Sequence, residues 1–135
     1  MDRTTYLKKL WTALEAEDGV EEPESLKYFE AVDYDDPTGR TPYCSALANY
    51  IMAEVGFRGT RSAAALSWRH WGKSVPQATI GSVAVFDHGD GTGHVTFYFG
   101  KGIFWGGNQT RAHEVCKEHI GFGEIVAWRL PMGVV

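Results

Sequence analysis

The chain has 135 residues and a mass of 15.0 kDa, which suits one domain with one core and is short for two. Its net charge is −4 and the sequence has no basic cluster, which argues against a nucleic-acid partner. No apolar run of signal-peptide length follows Met1, and no stretch approaches the ~20 apolar residues of a membrane span. We expect one catalytic domain over residues 1–135, made in the cytoplasm without a signal peptide, with no membrane insertion.

The first predicted element is a helix over residues 4–18. Its apolar residues recur at i, i+3, i+4 and i+7, which places them on one helical face: Leu7, Leu10, Trp11 and Leu14. Gly19 follows as a stop signal. Residues 20–43 show no clear period and are rich in acidic residues and proline, so we expect a connection along the surface.

Two further helices are predicted before residue 75. An apolar stripe runs from Cys44 to the stop signal Gly56, and the helix should begin close to Cys44 because Pro42 fits poorly inside a helix. Ser62 is a good N-cap, and the residues after it predict a third helix over residues 62–72.

After Pro76 the apolar period changes from helical to alternating, which is typical of strands. A glycine-rich turn over residues 88–93 separates the first two of four predicted strands, which cover residues 82–87, 94–99, 103–105 and 124–130. Short strands joined by glycine turns favour an antiparallel sheet. We therefore predict an α+β fold, with a helical part over about residues 1–75 packed on a sheet over about residues 76–135.

Of the two cysteines, Cys44 is the candidate nucleophile. A thiol attacks as the thiolate, and the unpaired amides and dipole at a helix start lower the thiol pKa. Cys44 lies at such a start, whereas Cys116 lies in a polar stretch without one. The alternative is that Cys44 is simply a small buried apolar residue, as most free cysteines are.

A nucleophilic cysteine needs a base, and the base needs a partner that orients it. His94 opens a predicted strand directly after the glycine turn, and alternation places it on one face with Thr96 and Tyr98. Asn108 ends the neighbouring strand region, and its amide oxygen could fix the imidazole tautomer. Asn108 is equally an ordinary turn residue after two glycines, and Gln109 could take its place.

Several spaced blocks between residues 40 and 131 resemble one branch of the NlpC-like cell-wall peptidases, within the papain-like fold that also includes the CHAP amidohydrolases. The blocks are residues 42–46, 67–68, 71–73, 81–86, 93–95 and 106–109. The resemblance implies a papain-like fold with Cys44 as nucleophile, His94 as base and Asn108 as third member. It also implies a cysteine peptidase or amidase that cuts amide bonds of peptidoglycan, as phage endolysins do.

The resemblance further implies an oxyanion donor in the first helical turn, for which the Ser45 N–H is the candidate. Tyr43 stands where the family would have tryptophan and still offers a flat ring to substrate. Trp105 lies near the predicted catalytic residues and is the best tryptophan candidate for the substrate cleft, with Gln109 beside it. We expect Trp68 and Trp71, at i and i+3, to be core residues.

No cofactor and no metal are predicted. The acidic run around Asp33 and Asp35, and His88 with its acidic neighbours, lack the spacing of a twelve-residue calcium loop, so we interpret both as solvated loops. A zinc amidase would need three ligands around an open position, and no HExxH-like spacing is present.

Several functional alternatives stay open at the level of sequence. The enzyme would act on the peptidoglycan stem peptide in the cell wall or periplasm after release, either with a holin as a phage lysin or as an antibacterial effector with an immunity protein. The other classes are a non-catalytic wall-binding module and a structural virion component. The sequence does not select between the muramoyl–alanine bond, a bond within the stem and a cross-bridge.

Overall fold

The computed structural model describes residues 1–110 and 112–135. Its two α-helices are α1 (Arg3–Glu17) and α2 (Cys44–Val55), and two 3-10 helices span Glu24–Ala31 and Ala65–His70. At the start of α1 the Asp2 carboxylate accepts the Thr5 N–H at 2.7 Å. At the end of α2 Gly56 adopts a left-handed φ of 109°, which suits glycine and stops the helix there. None of the helices in these ranges is long and apolar enough to cross a membrane.

Six strands form one antiparallel sheet in the order β1-β6-β2-β3-β4-β5. In chain order they are β1 (Lys73–Ser74), β2 (Val83–Asp87), β3 (Gly93–Tyr98), β4 (Ile103–Gln109), β5 (Glu114–His119) and β6 (Ile125–Leu130). The predicted α+β class and the antiparallel sheet are therefore confirmed. The central strands β2, β3 and β4 are largely buried, which agrees with their apolar sequences.

The main core lies between the helices and one face of the sheet. Alternate residues of the central strands meet the apolar stripes of α1 and α2: Val83, Val85, Val95, Phe97 and Trp105 against Leu10, Leu14, Leu47 and Ile51. The opposite face carries a smaller cluster around Phe86, Tyr98 and Phe104, against which Trp128 packs. The predicted alternation in β3 holds, because Val95 and Phe97 belong to the first cluster and Tyr98 belongs to the second.

The elements depart from the sequence prediction in three places. The predicted helix over residues 62–72 is only the 3-10 helix Ala65–His70, and residues 20–43 contain the 3-10 helix Glu24–Ala31. Strand β5 was not predicted because its sequence is polar. It is an edge strand of mostly half-buried or exposed residues, and such strands carry charged residues that discourage edge-to-edge pairing.

Candidate active site

Cys44 is the first residue of α2 and is 6% exposed. Burial alone would raise the pKa of its thiol, but a hydrogen bond with His94 and the charge of His94 outweigh burial, with help from the backbone N–H groups of Val95 and Ser45. The net result is a lowered pKa for the Cys44 thiol. Of the causes that lower the pKa, His94 contributes more than the helix-start amide of Ser45, on which the sequence expectation relied.

His94 is the second residue of β3, and its half-buried ring reaches Cys44 from the sheet. Burial alone would lower its pKa, but the hydrogen bond and charge of Cys44, the hydrogen bond of Gln109 and the charge of Glu118 raise it. A lowered thiol pKa and a raised imidazole pKa together favour the thiolate–imidazolium pair. This charged pair is the reactive form of a cysteine nucleophile.

The side chain that orients His94 is Gln109. Its Oε1 lies 3.0 Å from His94 Nε2 and accepts the Thr96 hydroxyl proton at 2.7 Å. Its amide NH₂ donates to the carbonyls of Phe104 at 3.1 Å and Cys116 at 2.8 Å. Because Nε2 of His94 is engaged with Gln109, Nδ1 is the nitrogen that remains for the thiol.

The sequence pattern favours Asn108 for the position beside His94, with Gln109 as the alternative. In the structure Gln109 occupies this position. The reason is a β-bulge in β4: Gly106 pairs with Cys116 and Gln109 with Glu114, so three steps along β4 match two along β5. Strict alternation from Gly106 would put residue 108 on the His94 face, and the extra residue moves residue 109 there instead. Asn108 absorbs the irregularity with a φ of 58°, a left-handed conformation that asparagine tolerates.

Both glycines before Asn108 are needed where they stand. A Cβ on Gly106 would lie 2.4 Å from the Thr96 hydroxyl oxygen and 3.1 Å from Gln109 Oε1. A Cβ on Gly107 would lie 2.8 Å from the Tyr43 ring, next to the start of α2. The two glycines therefore let β4 approach the helix that carries Cys44 on one side and the Thr96–Gln109 pair on the other.

Cys44, His94 and Gln109 line a cleft of about 1000 Å³. Asn108 lies on its wall without a hydrogen bond to His94, and the loops around residues 34, 63–65 and 91–93 form further parts of the wall. Glu118 and Glu124 also line the cleft, as do His88 and His113. Sequence patterns did not single out these last four residues as cleft residues, because they belong to loops and an edge strand with no periodic signal.

Two residues predicted for the substrate cleft lie elsewhere. Tyr43 is fully buried, stacks on Tyr28 with ring centroids 5.9 Å apart, and donates its hydroxyl proton to the carbonyl of His113. Trp105 is 1% exposed and donates its indole N–H to the Asp18 carboxylate at 3.0 Å. Both rings are core residues, because they belong to the cluster between the helices and the sheet and neither lines the cleft.

Ser45 is a buried residue of the first turn of α2. Its hydroxyl donates to the Ser62 carbonyl at 2.6 Å and accepts the Trp68 indole N–H at 2.9 Å, so the side chain is committed to packing. Its backbone N–H, together with that of Val95, helps to lower the pKa of the Cys44 thiol. Trp68 is fully buried, as expected for a core tryptophan.

Cys116, the other free cysteine, provides an internal contrast. Burial, followed by the charges of Glu114 and Glu118, raises the pKa of its thiol to about 11. At neutral pH Cys116 is therefore protonated while Cys44 is poised to ionise. The two cysteines have opposite environments, and only the one at the helix start has a histidine partner.

No group of three or more His, Cys, Asp and Glu side chains that could hold a metal ion occurs in residues 1–110 and 112–135. In the acidic run, Asp33 forms an ion pair with Arg61 at 3.1 Å. His88 lies 3.4 Å from the Thr92 hydroxyl through Nδ1.

The fold and the site together define an α+β protein with a cysteine–histidine pair on a cleft. No protein-family model matches the sequence, and no curated protein sequence matches it. Among solved structures, the chain is similar to the peptidoglycan hydrolase RipB from Mycobacterium tuberculosis, with a TM-score of 0.62 and 16% identity. The match covers 93% of this chain and 63% of that chain, so this chain spans less than two thirds of the RipB structure. At this identity the likeness shows a shared fold.

Proposed function

We propose that the chain is a cysteine-dependent peptidoglycan hydrolase with a papain-like catalytic arrangement. The observation that carries the proposal is the placement of Cys44, His94 and Gln109 on one cleft, with Gln109 Oε1 3.0 Å from His94 Nε2. The shared fold with a peptidoglycan hydrolase supports the cell wall as the source of substrate. The substrate is then an amide or peptide bond of the wall, with Cys44 as nucleophile, His94 as acid and base, and Gln109 as the residue that orients His94.

In the first half of the proposed reaction, the Cys44 thiolate attacks the carbonyl carbon and forms a C–S bond. The oxyanion that develops accepts the Ser45 N–H at the start of α2, where the helix dipole also favours negative charge. His94 then transfers its Nδ1 proton to the leaving nitrogen, and the C–N bond breaks. The products of this half are a free amine and an acyl thioester on Cys44.

In the second half, neutral His94 accepts a proton from water at Nδ1, and the hydroxide attacks the thioester carbonyl. The C–O bond forms, the C–S bond breaks, and the acid is released with the thiolate–imidazolium pair restored. Gln109 Oε1 accepts the Nε2 proton throughout, so the imidazole presents the same nitrogen in both halves.

The size of the cleft suits a peptide rather than a single amino acid. Pockets for small ligands span about 300–1,000 Å³, and this cleft lies at the upper end of that range. The carboxylates of Glu118 and Glu124 and the imidazoles of His88 and His113 provide polar groups that can orient a polar stem peptide.

The test is digestion of purified peptidoglycan by the wild type, Cys44→Ala and Cys116→Ala, with the released fragments identified by mass spectrometry. We expect soluble peptides from the wild type and Cys116→Ala, and none from Cys44→Ala. Equal activity of Cys44→Ala would show that the nucleophile is wrong. Inert wild-type protein on several wall chemotypes would instead favour a binding or structural role for the domain.

Finer parts of the proposal rest on the sequence resemblance. We propose a phage endolysin-like role in which the protein reaches the wall after release through a holin, with a secreted effector neutralised by an immunity protein as the alternative. The fragment masses from the digestion name the bond that is cut. Stems cut between two of their own residues indicate an endopeptidase, whereas release of the whole stem from the glycan indicates an N-acetylmuramoyl-L-alanine amidase.

A further inference from the structure

The Gln109 side chain is 3% exposed, and every hydrogen-bonding position of its amide is used. Its two N–H groups donate to backbone carbonyls, and its oxygen receives one contact from His94 and one from Thr96. An amide has two donor hydrogens and two acceptor lone pairs, so four partners saturate it. Side chains this fully committed have one permitted orientation.

The two carbonyls decide what that orientation is. If the amide were flipped, Oε1 would face the carbonyl oxygens of Phe104 and Cys116, and three oxygen atoms would meet without a proton in a buried site. The oxygen of Gln109 must therefore face His94. It follows that His94 Nε2 carries a proton in both its neutral and charged forms, which leaves Nδ1 for Cys44.

We propose that Thr96 is a positioning residue for His94, acting through Gln109. Thr96 is fully buried, does not line the cleft, and donates its hydroxyl proton to Oε1 at 2.7 Å. This hydrogen bond occupies one of the two lone pairs of Oε1. Only the other lone pair can then accept the Nε2 proton of His94. The direction of that lone pair fixes the plane of the imidazole against the thiol of Cys44.

A second observation points to the same contact. Strand β4 has a glycine, Gly106, directly opposite the Thr96–Gln109 hydrogen bond, and a Cβ there would lie 2.4 Å from the Thr96 hydroxyl oxygen. The backbone of β4 thus leaves space for this bond. A residue with any side chain at position 106 would displace the hydroxyl from Oε1.

This proposal rests on the proposed function, because it concerns the geometry of the same cysteine–histidine pair. Its test is the pH dependence of Cys44 alkylation by iodoacetamide, which needs no cell-wall substrate. Near neutral pH the raised thiol pKa of Cys116 keeps that cysteine slow, so Cys44 is the site that reacts. The variants are Thr96→Val, which keeps the shape and removes the hydroxyl, and Thr96→Ser, which keeps the hydroxyl.

We expect Thr96→Val to raise the apparent pKa of Cys44 alkylation by about 0.5 or more. Without the Thr96 hydroxyl, Gln109 Oε1 no longer holds the His94 imidazolium in one orientation beside the thiolate. On peptidoglycan, kcat per alkylation-titrated site should fall about 10-fold with KM within about twofold, since one hydrogen bond that is not in the cleft is lost. Thr96→Ser should restore both the wild-type pKa and kcat.

Three results would overturn parts of this reasoning, and they are distinguishable. A Thr96→Val profile and kcat equal to wild type would refute the positioning role. Failure of Thr96→Ser to rescue would show that packing of the methyl group, not the hydroxyl, matters. A wild-type protein whose Cys44 alkylates with the pKa of an ordinary thiol would refute the proposed catalytic pair itself.

Discussion

Replacing Gln109 with alanine, beside Asn108→Gly, tests which amide orients His94. Gln109 makes four hydrogen bonds, including the one to His94, whereas Asn108 makes none to His94. Glycine is the suitable control at position 108 because the backbone there has a φ of 58°, which glycine adopts without strain. The pair of variants therefore separates two adjacent amides that a sequence pattern treats as interchangeable.

The magnitude follows from the bonds that are lost. A hydrogen bond to a charged group contributes about 1.5–3 kcal/mol, and each 1.36 kcal/mol is tenfold in rate, so Gln109→Ala should lower kcat about 10- to 150-fold. The same variant leaves the Thr96 hydroxyl and two carbonyls without their partner, and it should reduce the free energy of unfolding by about 2–4 kcal/mol. Asn108→Gly should keep kcat within about threefold.

The assay is peptidoglycan turnover per Cys44 titrated by alkylation, with urea unfolding measured on the same preparations. The unfolding curves give the folded fraction of each variant, and turnover is divided by that fraction, so a fall in kcat reports on the site and not on stability. A tenfold loss in Asn108→Gly together with wild-type turnover in Gln109→Ala would refute the assignment, and the sequence-based choice of Asn108 would then be the better one.

Two further predictions concern the approach of β4 to α2 and the titration of the pair. Gly107→Ala should destabilise the fold by about 1–3 kcal/mol in urea unfolding, because its methyl group meets the Tyr43 ring at 2.8 Å, whereas Gly123→Ala, with nothing within 4 Å, should change little. Turnover should be bell-shaped in pH, falling on the acid side as the pH drops through the lowered pKa of Cys44 and on the alkaline side as it rises through the raised pKa of His94. An acid limb that follows an ordinary thiol pKa near ~8.5 would contradict the thiolate–imidazolium pair. Equal stability of Gly107→Ala and Gly123→Ala would contradict the close approach of β4 to Tyr43.

The helical starts and the central strands could be predicted from sequence because local patterns determine them. The apolar stripe and Gly56 bound α2, and Pro42 limits its start, so Cys44 was expected at the first turn, where the structure has it. Alternation in β3 likewise predicts that His94 and Thr96 share one face of the strand, and both contact Gln109 from that face. These predictions depend on contacts within a few residues.

The partner of His94 could not be predicted in the same way, because it depends on which residues of the neighbouring strand face the same side of the sheet as His94. One extra residue in β4 changes which side chain faces His94, and only the pairing with β5 reveals it. The run Gly106–Gly107 followed by Asn108 was a usable signal, since adjacent glycines within a strand indicate a bulge. Trp105 was misplaced for a related reason: closeness in sequence to the site says nothing about the face of the sheet on which a side chain lies.

The environment of position 109 also explains why an amide suits this site. Two carbonyl oxygens require donors, while the His94 Nε2 proton and the Thr96 hydroxyl require an acceptor. A carboxylate of the same length would satisfy His94 but would direct an oxygen at two carbonyl oxygens in a buried position. Glutamine meets all four requirements without burying a second charge beside the thiolate–imidazolium pair. The backbone of β4 and β5 therefore selects the residue, the residue selects the tautomer of His94, and the tautomer presents Nδ1 to Cys44.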